Sequence, residues 1–386
     1  MMLLAHKIEL RPTASQAEYL DRACGSRRHA FNQLLAHFSQ KDVKWSKKAA
    51  NERYKALRIE FPWYAEVSQR VTRNTVDDLH NAFTHFFRRL KKGETSGYPT
   101  FKKRGLNDRF SLREKPKFDV EGRTLRIEKL KTKIKMREKL RFSGTPCQVT
   151  ISKRAGKYFA SLLVDTQDYD PKHQEEESVG VDFGIKDLAV GSNGKTFAAN
   201  QKLKLSLELL ARKQRRLSRK TKGSNRCAKA KQAVAKLHYR ISNQRLAVLH
   251  EVSDYLTSRF KVITIEDLNV KGMTTNHKLA RAVSDAGFGM LRQFIEYKAE
   301  LRGCTVVVAD RWLPSTKECS YCGFKNNEVV LGVEWWVCPV CKTLHNRDFN
   351  ASVNLDNYGR DTLQLDPKPY TRVASDIPRC AAVLTV

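Results

Sequence analysis

Apolar and polar residues alternate over residues 4–10 and stop at Arg11-Pro12, the pattern of a strand closed by a turn. From Ala14 to about Lys92 the spacing becomes helical, and Thr13 with Gln16 three residues on predicts a capping box at its start. Leu79, Ala82, Phe83, Phe86, Phe87 and Leu90 fall on one face of an amphipathic helix. Gly93 and Gly97-Tyr98-Pro99 end it. Short strand-like runs then appear at residues 118–120, 124–127, 147–152 and 158–164, separated by charged turns. They predict a small β-barrel or sandwich, followed by a polar linker over 165–178.

A second pattern starts at residue 178. An apolar strand, a tight turn at Gly184 and a returning strand cover residues 178–190. Residues 202 to about 260 read as helix, residues 261–265 as a buried strand, 291–302 as helix and 304–309 as another buried strand. After a cysteine-rich segment, His345-Asn346-Arg347-Asp348 leads into a short helix through Asn350, Val353 and Leu355. The tail beyond Tyr358 is weakly patterned, and no internal repeat is evident.

Length and composition sharpen this picture. A chain of 386 residues with 41% apolar and 29% charged residues has room for two or three globular domains. The 72 Lys and Arg exceed the 41 Asp and Glu by 31. An excess of that size is self-repelling unless a polyanion neutralises it, and nucleic acid is the expected partner. No stretch reaches the roughly 18 apolar residues of a spanning helix, and residues 1–10 do not read as a signal peptide, so no membrane role is expected. Of nine cysteines, Cys24, Cys147, Cys227, Cys304 and Cys380 stand singly, which fits a reducing cytoplasm rather than a disulfide framework.

The other four, Cys319, Cys322, Cys338 and Cys341, have the spacing C-x2-C-x15-C-x2-C. Each pair fits a tight turn that aims two thiolates at one ion, with Gly323 and Pro339 suited to those turns. Four thiolates close a tetrahedral shell, so a structural zinc site is expected rather than a catalytic one.

Three carboxylates are candidates for catalysis. Asp182 ends one apolar strand, Glu266 ends another, and Asp348 opens the helix after the cysteines. A carboxylate at a buried strand end is costly unless paired or bound to a cation. Converging acids bind Mg²⁺ or Mn²⁺, the arrangement of two-metal phosphodiester hydrolysis in RNase H-like nucleases. Each acid alone has a plainer reading: Asp182 as a turn cap, Glu266 as a surface acid beside Asp267, Asp348 as a helix N-cap. Asp187, Asp267 and Asp310 also lie near strand ends, so spacing alone leaves the choice open.

Residues 179–186, Val-Gly-Val-Asp-Phe-Gly-Ile-Lys, resemble the opening motif of the RuvC-like nuclease domain of TnpB (OrfB) proteins. Ile265-Glu266-Asp267-Leu268 resembles the second motif and residues 345–352, His-Asn-Arg-Asp-Phe-Asn-Ala-Ser, the third. The cysteines fall between the second and third motifs, as in that family. Residues 284–289, 25–32, 83–87 and 97–103 are also family-like, so the resemblance covers roughly residues 4–358. Asn346 departs from it, since the family more often has Asp there. The resemblance implies a transposon-encoded, RNA-guided DNA endonuclease related to type V CRISPR effectors. Such a protein binds an ωRNA guide, recognises a target-adjacent motif and cuts double-stranded DNA with Asp182, Glu266 and Asp348. It implies a monomer with one RNA, with a dimer as the alternative.

Basic clusters fit that expectation. Arg212, Arg215, Arg216 and Arg219 crowd one stretch with neighbouring lysines, and Lys102 and Lys103 belong to another. These are expected to contact guide RNA and heteroduplex backbone. Arg27, Arg28 and Asn32 are candidates for base contacts, with a helix cap or core contact as the equal alternative. The expected fold class is multidomain α+β. A helical lobe (14–99) is inserted in a β-barrel, or wedge, module (1–13 and 100–175). An RNase H-like α/β domain (176–312 and 345–386) carries a four-cysteine zinc ribbon (313–344). The competing readings are an RNA-guided repressor that has lost cleavage, which should lack one of the three acids, and a DNA-joining transposase.

Overall fold

Alternation builds the first strand as expected. β1 (Met2–Arg11) buries every second residue from Leu4 to Leu10. The structure, a computed structural model, describes residues 2–114, 116–166, 174–199, 201–277, 280–330 and 332–368. Residues 167–173 of the expected linker, and the tail from 369 with Cys380, lie outside the described residues. The chain divides into two units, residues 1–170 with 221–239 and residues 171–220 with 240–386.

In the first unit, α1 (Ala14–Phe38) starts with the expected capping box: Thr13 and Gln16 each accept from the other's backbone N–H. α2 (Lys47–Glu60), a 3₁₀ turn (Pro62–Glu66) and α3 (Gln69–Lys91) follow. The predicted α3 face is only half used. Leu79 and Phe83 are buried, whereas Phe87 and Leu90 are exposed. The strands are β2 (Arg109–Arg113), β3 (Phe118–Glu121), β4 (Thr124–Ile127), β5 (Ile134–Met136), β6 (Thr145–Arg154) and β7 (Lys157–Thr166). They form one antiparallel sheet in the order β2-β6-β7-β1-β5-β4-β3, a nearly closed barrel. β1 sits in its middle, paired with β7 from Met2–Thr166 to Leu10–Tyr158. That ladder runs into the expected linker, so its first residues are strand. α1 serves two cores. Tyr19, Leu20, Ala23 and Cys24 pack with the barrel residues, and Ala30, Phe31, Leu34 and Leu35 pack with α2 and α3.

The second unit contains β8 (Glu176–Asp182), β9 (Asp187–Gly191), β10 (Thr196–Ala198), α4 (Gln201–Ser218), α5 (Asn225–Arg259), β11 (Phe260–Ile265), α6 (Val270–Thr275), α7 (Ala280–Ala286), α8 (Phe288–Arg302) and β12 (Thr305–Val308). Residues 225–239 of α5 group with the first unit. The mostly helical stretch expected over 202–260 consists of two helices, separated around Gly223, whose φ is +86°. β13 (Trp335–Val337), β14 (Leu344–Asn346) and α9 (Arg347–Thr362) complete the unit. α9 outruns the short helix expected from the pattern. The five-stranded sheet has the order β10-β9-β8-β11-β12. β8 pairs antiparallel with β9 and parallel with β11, and β11 pairs parallel with β12.

β8 and β11 are buried on both faces. One face carries Val179, Val181, Ile263 and Ile265, packed in one core with Leu249, Val252 and Leu256 of α5 and Leu291 and Ile295 of α8. The alternate residues Ser178, Gly180 and Thr264 face α9. A Cβ at Gly180 would collide with the backbone of Ser352 and Asp356, and one at Gly359 with the Thr264 side chain. These two glycines let α9 lie directly on the sheet. Among the described residues no helix is long and apolar enough to cross a membrane.

Candidate metal centres and nucleic-acid contacts

The same alternation that puts Ser178 and Gly180 under α9 puts Asp182 there. On β11, Thr264 and then Glu266 share that face. The parallel register pairs Val181 with Ile265, so Asp182 and Glu266 leave adjacent strands side by side. α9 is seated in step with β8. Arg360 Nη1 donates to Ser178 Oγ at 2.7 Å, and Ser192 Oγ, which accepts from Gly180 N, donates to Asp356 at 2.9 Å. One helical period of four residues back from Ser352 is Asp348, in the first turn of α9. Three acids far apart in sequence therefore converge.

Their electrostatics reflect the convergence. Asp182 is only 8% exposed. Burial, then the neighbouring Glu266, then the charge of Asp348 hold the Asp182 carboxyl well above its ordinary range. Glu266 Oε1 also accepts from Phe183 N at 3.3 Å. Arg347 Nε and Nη2 donate to Asp348 at 3.1 and 3.0 Å. The competing acids have other partners. Asp267 lies between Arg292 and Arg311, and Asp310 accepts from Trp312 N at 2.8 Å. Asp187 stands in the β9–β10 ladder. A buried acid held up by two neighbouring carboxylates is what a divalent cation would relieve, and an all-oxygen donor set suits Mg²⁺ or Mn²⁺.

The four cysteines meet as their spacing predicts. Their sulfurs all lie within 4.8 Å of one another, the one set of three or more metal-ligating residues this close among the described residues. Cys319–Cys341 and Cys322–Cys338 are each 3.6 Å apart. A tetrahedral zinc with Zn–S near 2.3 Å sets its sulfurs about 3.8 Å apart, so the cluster fits. Each pair sits on a turn closed by a backbone bond, Gly323 N to Cys319 O at 2.8 Å and Lys342 N to Cys338 O at 3.0 Å. Gly323 takes the left-handed conformation of the first turn (φ +74°). In the second that role falls to Lys342 (φ +58°), not to Pro339. Burial pushes the Cys319 thiol up to about 12, while the Thr343 hydroxyl draws Cys341 down to about 6.

The amino-terminal candidates are held within the fold. Arg27 is buried and donates to Asp78 and to Arg109 O. Arg28 donates to Asp108 at 2.6 Å. Asn32 clamps the backbone of Lys102, accepting from its N at 2.7 Å and donating to its O at 3.0 Å. The Lys102 ammonium lies 4.5 Å from the centre of the Phe31 ring. These contacts are all within the protein. Lys103, Arg212, Arg215, Arg216 and Arg219 are exposed. Residues 209–250 contain thirteen Lys and Arg and no Asp or Glu, so this stretch has no acid of its own to neutralise it.

Four polar residues of this region escaped the sequence reading: His345, Arg347, Asn350 and Asp356. His345 and Asn350 contact the Cys319 segment, Arg347 contacts Asp348, and Asp356 anchors α9. A signal existed. Asp348, Ser352, Asp356 and Arg360 form a polar stripe at intervals of four beside apolar Ala351, Val353 and Leu355, which marks a buried polar face.

Comparison with known proteins places these features in context. The OrfB_IS605 family, described as "Probable transposase", matches residues 161–277. A Cas12f1-like TNB domain matches 288–355, and a helix-turn-helix domain matches 1–41. In the structure that last segment is mainly one strand and one helix. A Streptomyces pristinaespiralis protein named "Putative RNA-guided DNA endonuclease" is 33% identical over 91% of this chain and 88% of its own. The Escherichia coli (strain K12) protein InsQ, named the same way, is 29% identical over 92% of this chain and 91% of its own. A solved structure of CasPhi-2 (Cas12j) bound to crRNA aligns over 92% of this chain and 98% of that one. Its identity is 9% and its TM-score 0.44, too low to bear on the chemistry.

Proposed function

The chain belongs to the TnpB (OrfB) family, and on that premise we propose that it is an RNA-guided DNA endonuclease of a bacterial insertion sequence whose cleavage site is Asp182, Glu266 and Asp348. The observation that carries the reading is the convergence of these three acids, with Asp182 buried and held up by the other two. The sheet order supports an RNase H-like (RuvC) domain: three antiparallel strands followed by two parallel ones, with Asp182 and Glu266 at the ends of the adjacent strands β8 and β11. Its two segments, 176–312 and 345–386, flank a zinc ribbon at 313–344.

Asp182, Glu266 and Asp348 would hold Mg²⁺ or Mn²⁺. Such ions, when bound, would supply activation of the attacking water and stabilisation of the leaving oxygen of a phosphodiester. The chain's own part is positional. Parallel pairing fixes Asp182 beside Glu266, α9 brings Asp348 to them, and Arg347 steadies Asp348 by two donated bonds. The four cysteines would hold a structural zinc. The barrel (1–13 and 100–175) and helical lobe (14–99) are assigned to guide and target recognition, beside a target-adjacent motif. Exposed Lys103, Arg212, Arg215, Arg216 and Arg219 would contact nucleic-acid backbone, and Lys102 would join them through its ammonium. Arg27, Arg28 and Asn32 are assigned to holding α1 in place. The protein would act as a monomer with one ωRNA.

The retained carboxylates favour a live nuclease over a repressor, because a cleavage-deficient relative is expected to lack one of them. The test is to co-express the chain with its flanking DNA, sequence the RNA that co-purifies, and assay plasmid cleavage guided by it. Cleavage that needs both that RNA and Mg²⁺ is expected. Bound RNA without cleavage would favour the repressor, and strand joining in place of cutting would favour the transposase.

A further inference from the structure

The segment around Cys319 is tied at three points to α9 and the strand before it, by His345 of β14 and by Asn350 and Asn354 of α9. His345 Nε2 lies 3.0 Å from Cys319 Sγ, and both residues are buried. His345 is not among the residues whose ligand atoms all lie within 4.8 Å of one another, so it stands outside the thiolate shell. With the proton on Nε2 it donates to the sulfur. The ring is fixed by packing against Trp336, its cross-strand partner, at 4.7 Å between centroids. On the backbone side, Ser320 N donates to Asn350 Oδ1 at 2.9 Å, while Asn350 Nδ2 donates to Glu318 O at 2.7 Å. The residues before and after Cys319 are thus both held by one α9 side chain. Asn354, one turn on, donates to Glu318 O and Ser315 O, each at 2.7 Å. His345 itself is three residues from Asp348. Asn346, between them, caps α9 by accepting from Phe349 N at 3.0 Å.

We propose that His345 and Asn350 are positioning residues that couple the zinc ribbon to the cleavage site: His345 by donating to the metal-bound Cys319 thiolate, Asn350 by clamping the backbone around it, so that a metal-loaded ribbon sets the placement of Asp348. The inference rests on the reading of Asp348 as a cleavage-site acid. Physically, a donated N–H delocalises charge from a four-thiolate zinc shell and orients the ligand. The same strap then transmits the position of Cys319 to the first turn of α9. Losing the metal would slacken both ends of the strap, and losing the strap would loosen the metal.

The test uses the full chain freed of RNA, so that RNA phosphates do not compete for metal. Zinc transfer to a chromogenic chelator reports the ribbon, and titration with Mn²⁺ followed by its electron paramagnetic resonance reports the acids. His345→Phe keeps an aromatic ring against Trp336 and removes the donor. It should release zinc about tenfold faster or more and weaken Mn²⁺ binding by a similar factor. His345→Gln, which returns an N–H near the Nε2 position, should restore both in part. Asn350→Asp keeps the acceptor for Ser320 N and loses the donor to Glu318 O, and should weaken Mn²⁺ binding as well. Unchanged zinc release in His345→Phe would overturn the thiolate bond. Faster zinc release with unchanged Mn²⁺ affinity would overturn the coupling alone. Asp182→Asn is the control: if it leaves Mn²⁺ binding intact, the cleavage-site reading falls and takes the coupling with it.

Discussion

The second unit holds two clusters of candidate metal ligands, and they are built in opposite ways. The four cysteines are assembled by two local turns and one short hairpin, and their sulfurs already lie within 4.8 Å of one another. The three acids come from two strands and a helix separated by up to 166 positions, from Asp182 to Asp348, and are assembled only when α9 lies on the sheet. The thiol cluster has almost no core beyond itself. Val329, Trp336, Cys319 and Cys338 are its buried residues, so a bound metal would stand in for apolar burial. The acid cluster sits on a sheet packed into a much larger buried core. On the proposed reading, one site would use metal for stability, while the other is held at a cost to stability and would take metal for chemistry.

The largest contrast should appear when each cluster loses one ligand. Cys338→Ser should lose zinc and unfold the ribbon, read as loss of amide-exchange protection over residues 313–346 with the barrel unaffected. Asp182→Asn should do the reverse and raise the melting temperature in magnesium-free buffer, by about 2–4 °C for each kcal/mol of repulsion removed. Equal destabilisation by the two changes would erase the distinction.

Gly180→Ala separates the clusters by a different route. It adds one methyl where the backbone of α9 rests, for a cost of about 1–3 kcal/mol or more, and displaces Asp348. Urea denaturation should show that loss, and Mn²⁺ affinity should fall while the bound zinc content stays at one per chain. A stable variant with normal Mn²⁺ binding would show that α9 is not seated as described.

pH sharpens the acid side. The folded-state pKa of Asp182 is raised, so the folded protein binds more protons than the unfolded chain above the ordinary value of 3.8. The penalty is absent below that value and grows as pH rises through the folded-state pKa. Without magnesium, the stability difference between Asp182→Asn and the unaltered chain should therefore widen with rising pH. A difference independent of pH would mean that Asp182 is not strained by its neighbours.

The smallest effect on fold is expected from replacing Arg212, Arg215, Arg216 and Arg219 by Ala. Melting temperature should hardly move. The slope of log affinity for RNA against log salt should become shallower by roughly 0.7–0.9 for each phosphate that is no longer neutralised. An unchanged slope would remove these side chains from the interface.

How much of this could be read in advance follows the same divide. The cysteine site was legible because its geometry is local: two residues between thiols define a turn. β1 and the Thr13–Gln16 cap were legible for the same reason. For the acids, the pattern located carboxylates at strand ends but did not choose among Asp182, Asp187, Glu266, Asp267 and Asp310. That choice depends on the pairing of Val181 with Ile265 and on the seat made by Gly180 and Gly359, which are tertiary facts. Arg27 and Asn32 show the limit on the polar side. Their partners, Asp78 and the backbone of Lys102, are 51 and 70 residues away, so nothing near them in sequence distinguishes an intramolecular clamp from a base contact.

The most direct test of the acid site is a comparison of guided plasmid cleavage by the RNA-loaded protein with cleavage by Asp182→Asn, Glu266→Gln and Asp348→Asn, each purified with the same RNA. Each change should lower the rate by about a thousandfold or more, the scale on which losing a group that stabilises transition-state charge is felt, while bound RNA per chain stays constant. Cleavage by any of the three within tenfold of the unaltered protein would contradict the assignment of that acid.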